Sequence, residues 1–117
     1  MRNILFLHEQ SLVGKAKSGT LAPDDYNSGT FTISNLGMFG VSQFDAILPV
    51  GQGCILAIGA TQEKVVPDKQ AVLGLKTINA MTITLTCDHR QIYGADAALF
   101  MKTLADIMEN QTTSLVL

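Results

Sequence analysis

The sequence predicts an α+β fold, a mixed sheet with flanking helices, and three stretches carry that expectation. Residues 54–60, CILAIGA, are apolar on both faces, as an interior strand must be when it is covered from two sides. Residues 73–87 hold the longest extended pattern, with Met81, Ile83, Leu85 and Cys87 on one face and Thr82, Thr84 and Thr86 on the other. Residues 95–108 place Ala97, Ala98, Met101, Leu104, Ala105 and Met108 on one stripe of a helix, with Lys102 and Asp106 spaced i,i+4 away from it.

The remaining elements follow in order. Leu5, Leu12, Val13 and Ala16 have helical spacing, which predicts a short helix to about Lys17, weakened by Gly14. The stretch SGTLAPDDYNSG is dense in turn-forming residues and predicts a surface loop. Residues 30–34, TFTIS, alternate and are β-branched or aromatic, so they predict a strand, which NLGMFG breaks with a tight backbone excursion at Gly37 and Gly40. FDAILP, residues 44–49, reads as a buried segment closed by proline, and VGQG as the turn into CILAIGA. KVVPDKQA predicts a short strand, a Pro-Asp turn and a return. Asp96 stands where an N-cap or first-turn carboxylate favours the positive end of the last helix, and Asn110 can end it.

At 117 residues the chain is one domain or part of one. Apolar residues make up 47% and charged residues 15%, against about 25% charged in an average globular protein. Such a surplus predicts surface hidden in an oligomer, because large exposed apolar patches are uncommon on monomers. No run approaches the roughly 18–20 apolar residues that cross a bilayer, and ILFL is too short for a signal peptide, so no membrane partner is expected. The net charge of −2, with acids and bases interspersed, offers no basic stripe for a phosphate backbone, and no nucleic acid is expected. Cys54 and Cys87 lie 33 residues apart without a CxxC or a Cys/His cluster. They read as buried thiols of a reducing compartment, and no metal site is expected.

His89 follows a long strand and precedes a helix, a rigid setting in which catalytic groups are often placed. Imidazole titrates near neutral pH and suits a general base, but a lone histidine equally serves as a structural hydrogen-bonder. Asp88 and Arg90 flank it and, since strand neighbours point to opposite faces, are expected to pair elsewhere and set the local backbone. His8, on a weak helix, is expected at the surface. Ser34 and Asn35 close a strand before a Gly-rich turn, and each can simply cap that turn. There is no GxSxG elbow, no GxGxxG and no P-loop.

Together, GTFTISNLGMFGVSQFDAILPVGQGCILAIGA and DHRQIYGADAALF resemble the C-terminal half of the catalytic domain of the dihydrolipoamide acyltransferases, the E2 components of 2-oxoacid dehydrogenase complexes. The likeness runs from about Leu12 to the end, is most similar to the plastid and cyanobacterial acetyltransferases of the pyruvate dehydrogenase complex, and extends to the tail SLVL. It implies a chloramphenicol acetyltransferase-like mixed sheet, present as a partial domain. It also implies acetyl transfer between a dihydrolipoyl thiol and coenzyme A. The family's histidine falls on His89, as the base that deprotonates the attacking thiol. Its serine falls on Ser34, as the donor to the oxyanion of the tetrahedral intermediate. Supporting positions fall on Arg90, Gly94 and Asn35.

The family's usual HRxxDG or HRxxNG is here His89-Arg90-Gln91-Ile92-Tyr93-Gly94, so Tyr93 replaces an Asp or Asn. A phenol bonds through hydrogen but carries no negative charge at neutral pH. The plastid-like group shares the IYGADAA run, which marks Tyr93 as a subgroup feature. The resemblance leaves lipoyl and subunit-binding domains, and the N-terminal half of the catalytic domain, outside residues 1–117. It implies self-association as a trimer with His89 of one copy facing Ser34 of its neighbour, and trimers gathered in a larger core. It further implies E1 and E3 partners through the outside domains, a lipoyl group carried on one of them, acetyl-CoA as substrate, and a plastid stroma or cyanobacterial cytoplasm. The rival expectation is a non-catalytic E2-like scaffold or core-assembly subunit.

Overall fold

A computed structural model describes residues 2–27 and 29–110. In chain order these form α1 (Arg2–Ser18), α2 (Pro23–Asn27), β1 (Phe31–Asn35), a 3₁₀ turn (Gly37–Phe39), β2 (Cys54–Ile58), β3 (Gln62–Pro67), β4 (Leu75–Ala80), β5 (Ile83–Cys87) and α3 (Gly94–Asn110). The SLVL tail and the side chain of His8 lie outside the described residues.

The strand expected to be interior is interior. β2 runs parallel to β1 on one side and antiparallel to β5 on the other. Its residues Cys54, Ile55, Leu56 and Ala57 are 2–8% exposed and are the buried apolar side chains among the described residues. Because so few side chains make up the core, each one matters. Leu56→Ala is expected to lower unfolding stability by about 2–5 kcal/mol, the usual cost of a buried leucine and its cavity. Urea denaturation checks this, and a loss under about 1 kcal/mol would show that Leu56 is not well packed.

Between β1 and β2 the chain doubles back over the end of β2, an approach that only glycine permits. A Cβ at Gly37 would stand 2.8 Å from the Gly59 carbonyl oxygen, and one at Gly59 would stand 2.1 Å from that of Ser42. The Ala60 N–H then donates to Val41 at 2.7 Å and the Leu36 N–H to Ile58 at 3.3 Å. Gly59→Ala is accordingly expected to destabilise the fold more than the roughly 1 kcal/mol lost in an ordinary glycine substitution, measurable as a fall in melting temperature.

Three expectations need correction. The stretch expected as a loop contains α2, because the residues that make turns also start helices. Proline's fixed φ suits a first helical turn, and Asp24 and Asp25 lie at the positive end of the dipole. The Asp25 carboxylate accepts from the Ala22 N–H at 3.1 Å and pairs with Lys15 of α1 at 3.3 Å. Second, the single extended pattern over 73–87 is two strands in two sheets. β4 pairs antiparallel with β3 across a turn closed by the Asp68 N–H donating to Gly74, and β5 joins β2. Alternation continues through Met81 and Thr82 while the pairing partner changes, and a side-chain pattern does not encode its partner. Third, residues 44–49 are irregular, and Ile47 is 94% exposed.

That exposure is part of a wider pattern. The accessible surface is 9513 Å², whereas a compact 12.5 kDa monomer has about 6,200 Å². Val50 and Val72 are fully exposed, and Met38 and Phe39 nearly so. α3 packs thinly on the sheet, against β5 and with its Phe100 ring 6.0 Å from Phe31 of β1. Further along, Met101, Leu104 and Met108 of α3 face Ile78, Met81 and Ile83 across an apolar groove of about 450 Å³.

Candidate active site

The turn after β5 is built on one carboxylate. The Asp88 N–H extends the β5 ladder by donating to Gly53 at 2.9 Å, and the Asp88 carbonyl accepts from Gln91 and Ile92 at 3.1 and 3.0 Å. Its side chain accepts from the Arg90 N–H at 3.1 Å and holds the Arg90 guanidinium in a two-pronged pair, Nε to Oδ1 at 2.9 Å and Nη2 to Oδ2 at 2.7 Å. Asp88 and Arg90, expected to pair away from His89 and to set the local backbone, do so by pairing with each other, since the chain leaves the strand at Asp88 and the turn closes i onto i+2. Arg90 holds the Asp88 carboxyl down at about 2, below its ordinary 3.8, through its side-chain hydrogen bonds first and its backbone N–H second.

The ionised clamp therefore stabilises the folded turn above the ordinary carboxyl range and is lost as pH falls from about 4 through 2. Wild type is expected to lose stability more steeply than Asp88→Asn over that interval. Equal slopes in acid titrations of melting temperature would remove the clamp from the account.

Between the clamp residues, His89 is solvent-exposed. Its ring lies edge-on to Tyr93, with centroids 6.4 Å apart and planes at 74°. A Cβ added to Gly94 would stand 3.8 Å from His89 Nε2, so the imidazole lies back over the start of α3. There the Ala97 N–H donates to the Tyr93 carbonyl at 3.1 Å, and Asp96 occupies the first turn. His89 opens onto a largely polar cleft of about 460 Å³ that also touches Leu48, Gln52, Cys87, Asp88 and Gln91. Val50, Gly51 and Gln52, in the VGQG stretch read from sequence only as a turn, form a wall of that cleft together with Pro49. Gln52 Oε1 accepts from the Thr32 hydroxyl at 2.5 Å, which ties the wall to β1. The one sequence signal for this was the loop's place directly before an interior strand.

Ser34 is half-buried on β1, opposite Ala57. The turn after it is capped by Asn35, whose Oδ1 accepts from the Gly37 N–H at 2.9 Å. The Ser34 hydroxyl makes no hydrogen bond among the described residues, so the capping role open to both residues falls to Asn35 alone. Register then fixes how Ser34 and His89 relate. Phe31, Cys54 and Cys87 share one row across the sheet, whereas Ser34 is aligned with Ala57 and Thr84, three residues further along. At about 3.3 Å per residue and 4.8 Å per strand, Ser34 and Cys87 stand roughly 14 Å apart, and His89 lies beyond Cys87. One chain does not bring the two groups together.

Residues 5–116 match the profile of the 2-oxoacid dehydrogenases acyltransferase catalytic domain. The chain belongs to this acyltransferase family. It is 57% identical over 101 residues to the chloroplastic dihydrolipoyllysine-residue acetyltransferase component 4 of the pyruvate dehydrogenase complex of Arabidopsis thaliana, covering 86% of this chain and 21% of that protein. A mitochondrial counterpart in Schizosaccharomyces pombe is 50% identical over 82% of this chain and 20% of its own length. Among solved structures, the dihydrolipoamide acetyltransferase of Azotobacter vinelandii superposes with a TM-score of 0.77 at 31% identity, over 95% of this chain and 44% of that one. In that protein a serine, a histidine and an asparagine four residues after the histidine have been investigated for their role in the catalytic mechanism. The cubic core of a pyruvate dehydrogenase multienzyme complex also matches, with a TM-score of 0.77 at 30% identity over 93% of this chain and 44% of that one. The chain thus spans about a fifth of the length of these curated relatives and under half of the solved cores. The expected α+β, chloramphenicol acetyltransferase-like mixed sheet, as a partial domain, is the fold observed.

Proposed function

We propose that this chain is the C-terminal half of an acyltransferase catalytic domain that moves an acetyl group between a dihydrolipoyl thiol and coenzyme A, in a site shared by two copies. The observation that carries it is the placement of His89 on a clamped turn at one end of the sheet, with Ser34 out of reach at the other. The His89 imidazole takes the proton of the attacking thiol, because the thiolate is the useful nucleophile. The thiolate adds to the thioester carbonyl, and the Ser34 hydroxyl of the neighbouring copy donates a hydrogen bond to the oxyanion that forms. Collapse breaks the other carbon–sulfur bond, and the departing thiolate recovers the proton from His89. No acyl group rests on the protein. Tyr93 and Gly94 position the imidazole, Arg90 holds Asp88 and so the turn, and Asn35 fixes the backbone beside Ser34.

The same reading takes acetyl-CoA and a lipoyl group on another domain as substrates. It takes E1 and E3 as partners through outside domains, a trimer within a larger core as the assembly, and a plastid stroma or bacterial cytoplasm as the setting. The large uncovered apolar surface supports assembly. It also supports the rival reading, a scaffold subunit without catalysis. Acetyl transfer from acetyl-CoA to dihydrolipoamide separates them. The acyltransferase reading expects turnover, and a folded, trimeric sample with none would contradict it.

A further inference from the structure

Cys54 and Cys87 face each other directly across β2 and β5. Theirs is a non-hydrogen-bonded pair of the antiparallel ladder, since the flanking bond runs from the Asp88 N–H to the Gly53 carbonyl, one residue outside the pair on each strand. Cα atoms in such pairs lie about 4.5 Å apart, within the roughly 4.4–6.8 Å that disulfides span. The two sulfurs already stand 3.1 Å apart, and both thiols are free. A disulfide needs about 2.05 Å, a closure of about 1 Å that side-chain rotation supplies without moving either strand out of register. The two thiols differ in access. Cys54 is 8% exposed in the centre of the sheet, whereas Cys87 is half-buried and lines the polar cleft that His89 opens onto.

We propose that Cys54 and Cys87 form a reversible disulfide modification site beneath the His89 turn, closed by exchange with a small aliphatic disulfide that enters through the cleft. The Cys87 thiolate attacks one sulfur of the reagent, whose S–S bond breaks and releases one thiolate, which takes a proton. Cys54 then loses its proton, and its sulfur attacks Cys87 Sγ, breaking the mixed disulfide and releasing the second thiol. Two cysteine thiols are oxidised by two electrons, and one small disulfide is reduced to two thiols. Burial, and then contact with Cys87, push the Cys54 thiol up to about 11, which disfavours it as the first attacking thiol and leaves that step to Cys87 at the cleft. The product ties the end of β5, two residues before His89, to the buried central strand.

The test equilibrates the assembled protein with bis(2-hydroxyethyl) disulfide and maps the cysteines by mass spectrometry after digestion. The expected result is that the Cys54 and Cys87 peptides are joined, with a mass about 2 Da below their sum, and that dithiothreitol restores both thiols. Cys54→Ser is expected to stop at a mixed disulfide on Cys87. In Cys87→Ser the remaining Cys54 is expected to react at least about tenfold more slowly than Cys87 does in Cys54→Ser. Wild-type thiols that both stay alkylatable would overturn the proposal. So would a wild type that stops at the mixed disulfide, or cross-links only between chains. The readout is the thiols themselves and is independent of acetyl transfer.

Discussion

Replacing His89 with alanine is expected to lower acetyl transfer between acetyl-CoA and dihydrolipoamide by about 10²–10⁴-fold, the usual contribution of a positioned general base. The imidazole touches no hydrophobic core and is exposed, so the fold is expected to survive its loss. Far-ultraviolet circular dichroism and the oligomeric state should match wild type while turnover collapses. The deficit should shrink as pH rises toward the range where thiols ionise unaided, because the missing base is then needed less. A His89→Ala protein that retains wild-type turnover at neutral pH would remove His89 from the chemistry and leave it a structural residue of the turn.

Ser34→Ala is the second large effect. Loss of one oxyanion donor is expected to cost about 10²–10³-fold in kcat. KM should change little, because the donor's target is charged only in the transition state. The pH profile should keep its wild-type shape, since a hydroxyl in this role does not titrate. A rise in KM with kcat intact would instead make Ser34 a ground-state binding residue. This pairing of profiles separates the two groups: removal of His89 changes pH dependence, removal of Ser34 changes only the height.

The local elements were largely legible in the sequence. CILAIGA could only be an interior strand, and its burial in the middle of the sheet follows from a run apolar on both faces. The stripe from Ala97 to Met108 gave α3, and the Met81 to Cys87 alternation gave β5. What the sequence could not carry was pairing. Nothing between Leu73 and Cys87 marks the change of partner at Met81, because side-chain alternation reports which face is covered and not which strand lies alongside. The 44–49 segment looked buried because FDAILP is apolar, but burial also needs a covering layer, and Ile47 has none within the described residues. Likewise the two-pronged pair of Asp88 with Arg90 depends on a turn that the strand pattern conceals. The candidate site shows both sides of this. The residue types at His89 and Ser34 and the intervening motif were readable, whereas their placement at opposite ends of a three-stranded sheet emerged only from the register.

That placement makes the shared site the central claim, and co-assembly tests it most directly. His89→Ala and Ser34→Ala chains, each inactive alone, would be co-expressed in equal amounts and purified as mixed assemblies. If each site takes its base from one copy and its oxyanion donor from the next, random mixing in a head-to-tail ring restores both intact groups to about one quarter of the sites. Turnover near one quarter of wild type is the expected result. Mixed assemblies no more active than the two parents would contradict a site shared between copies.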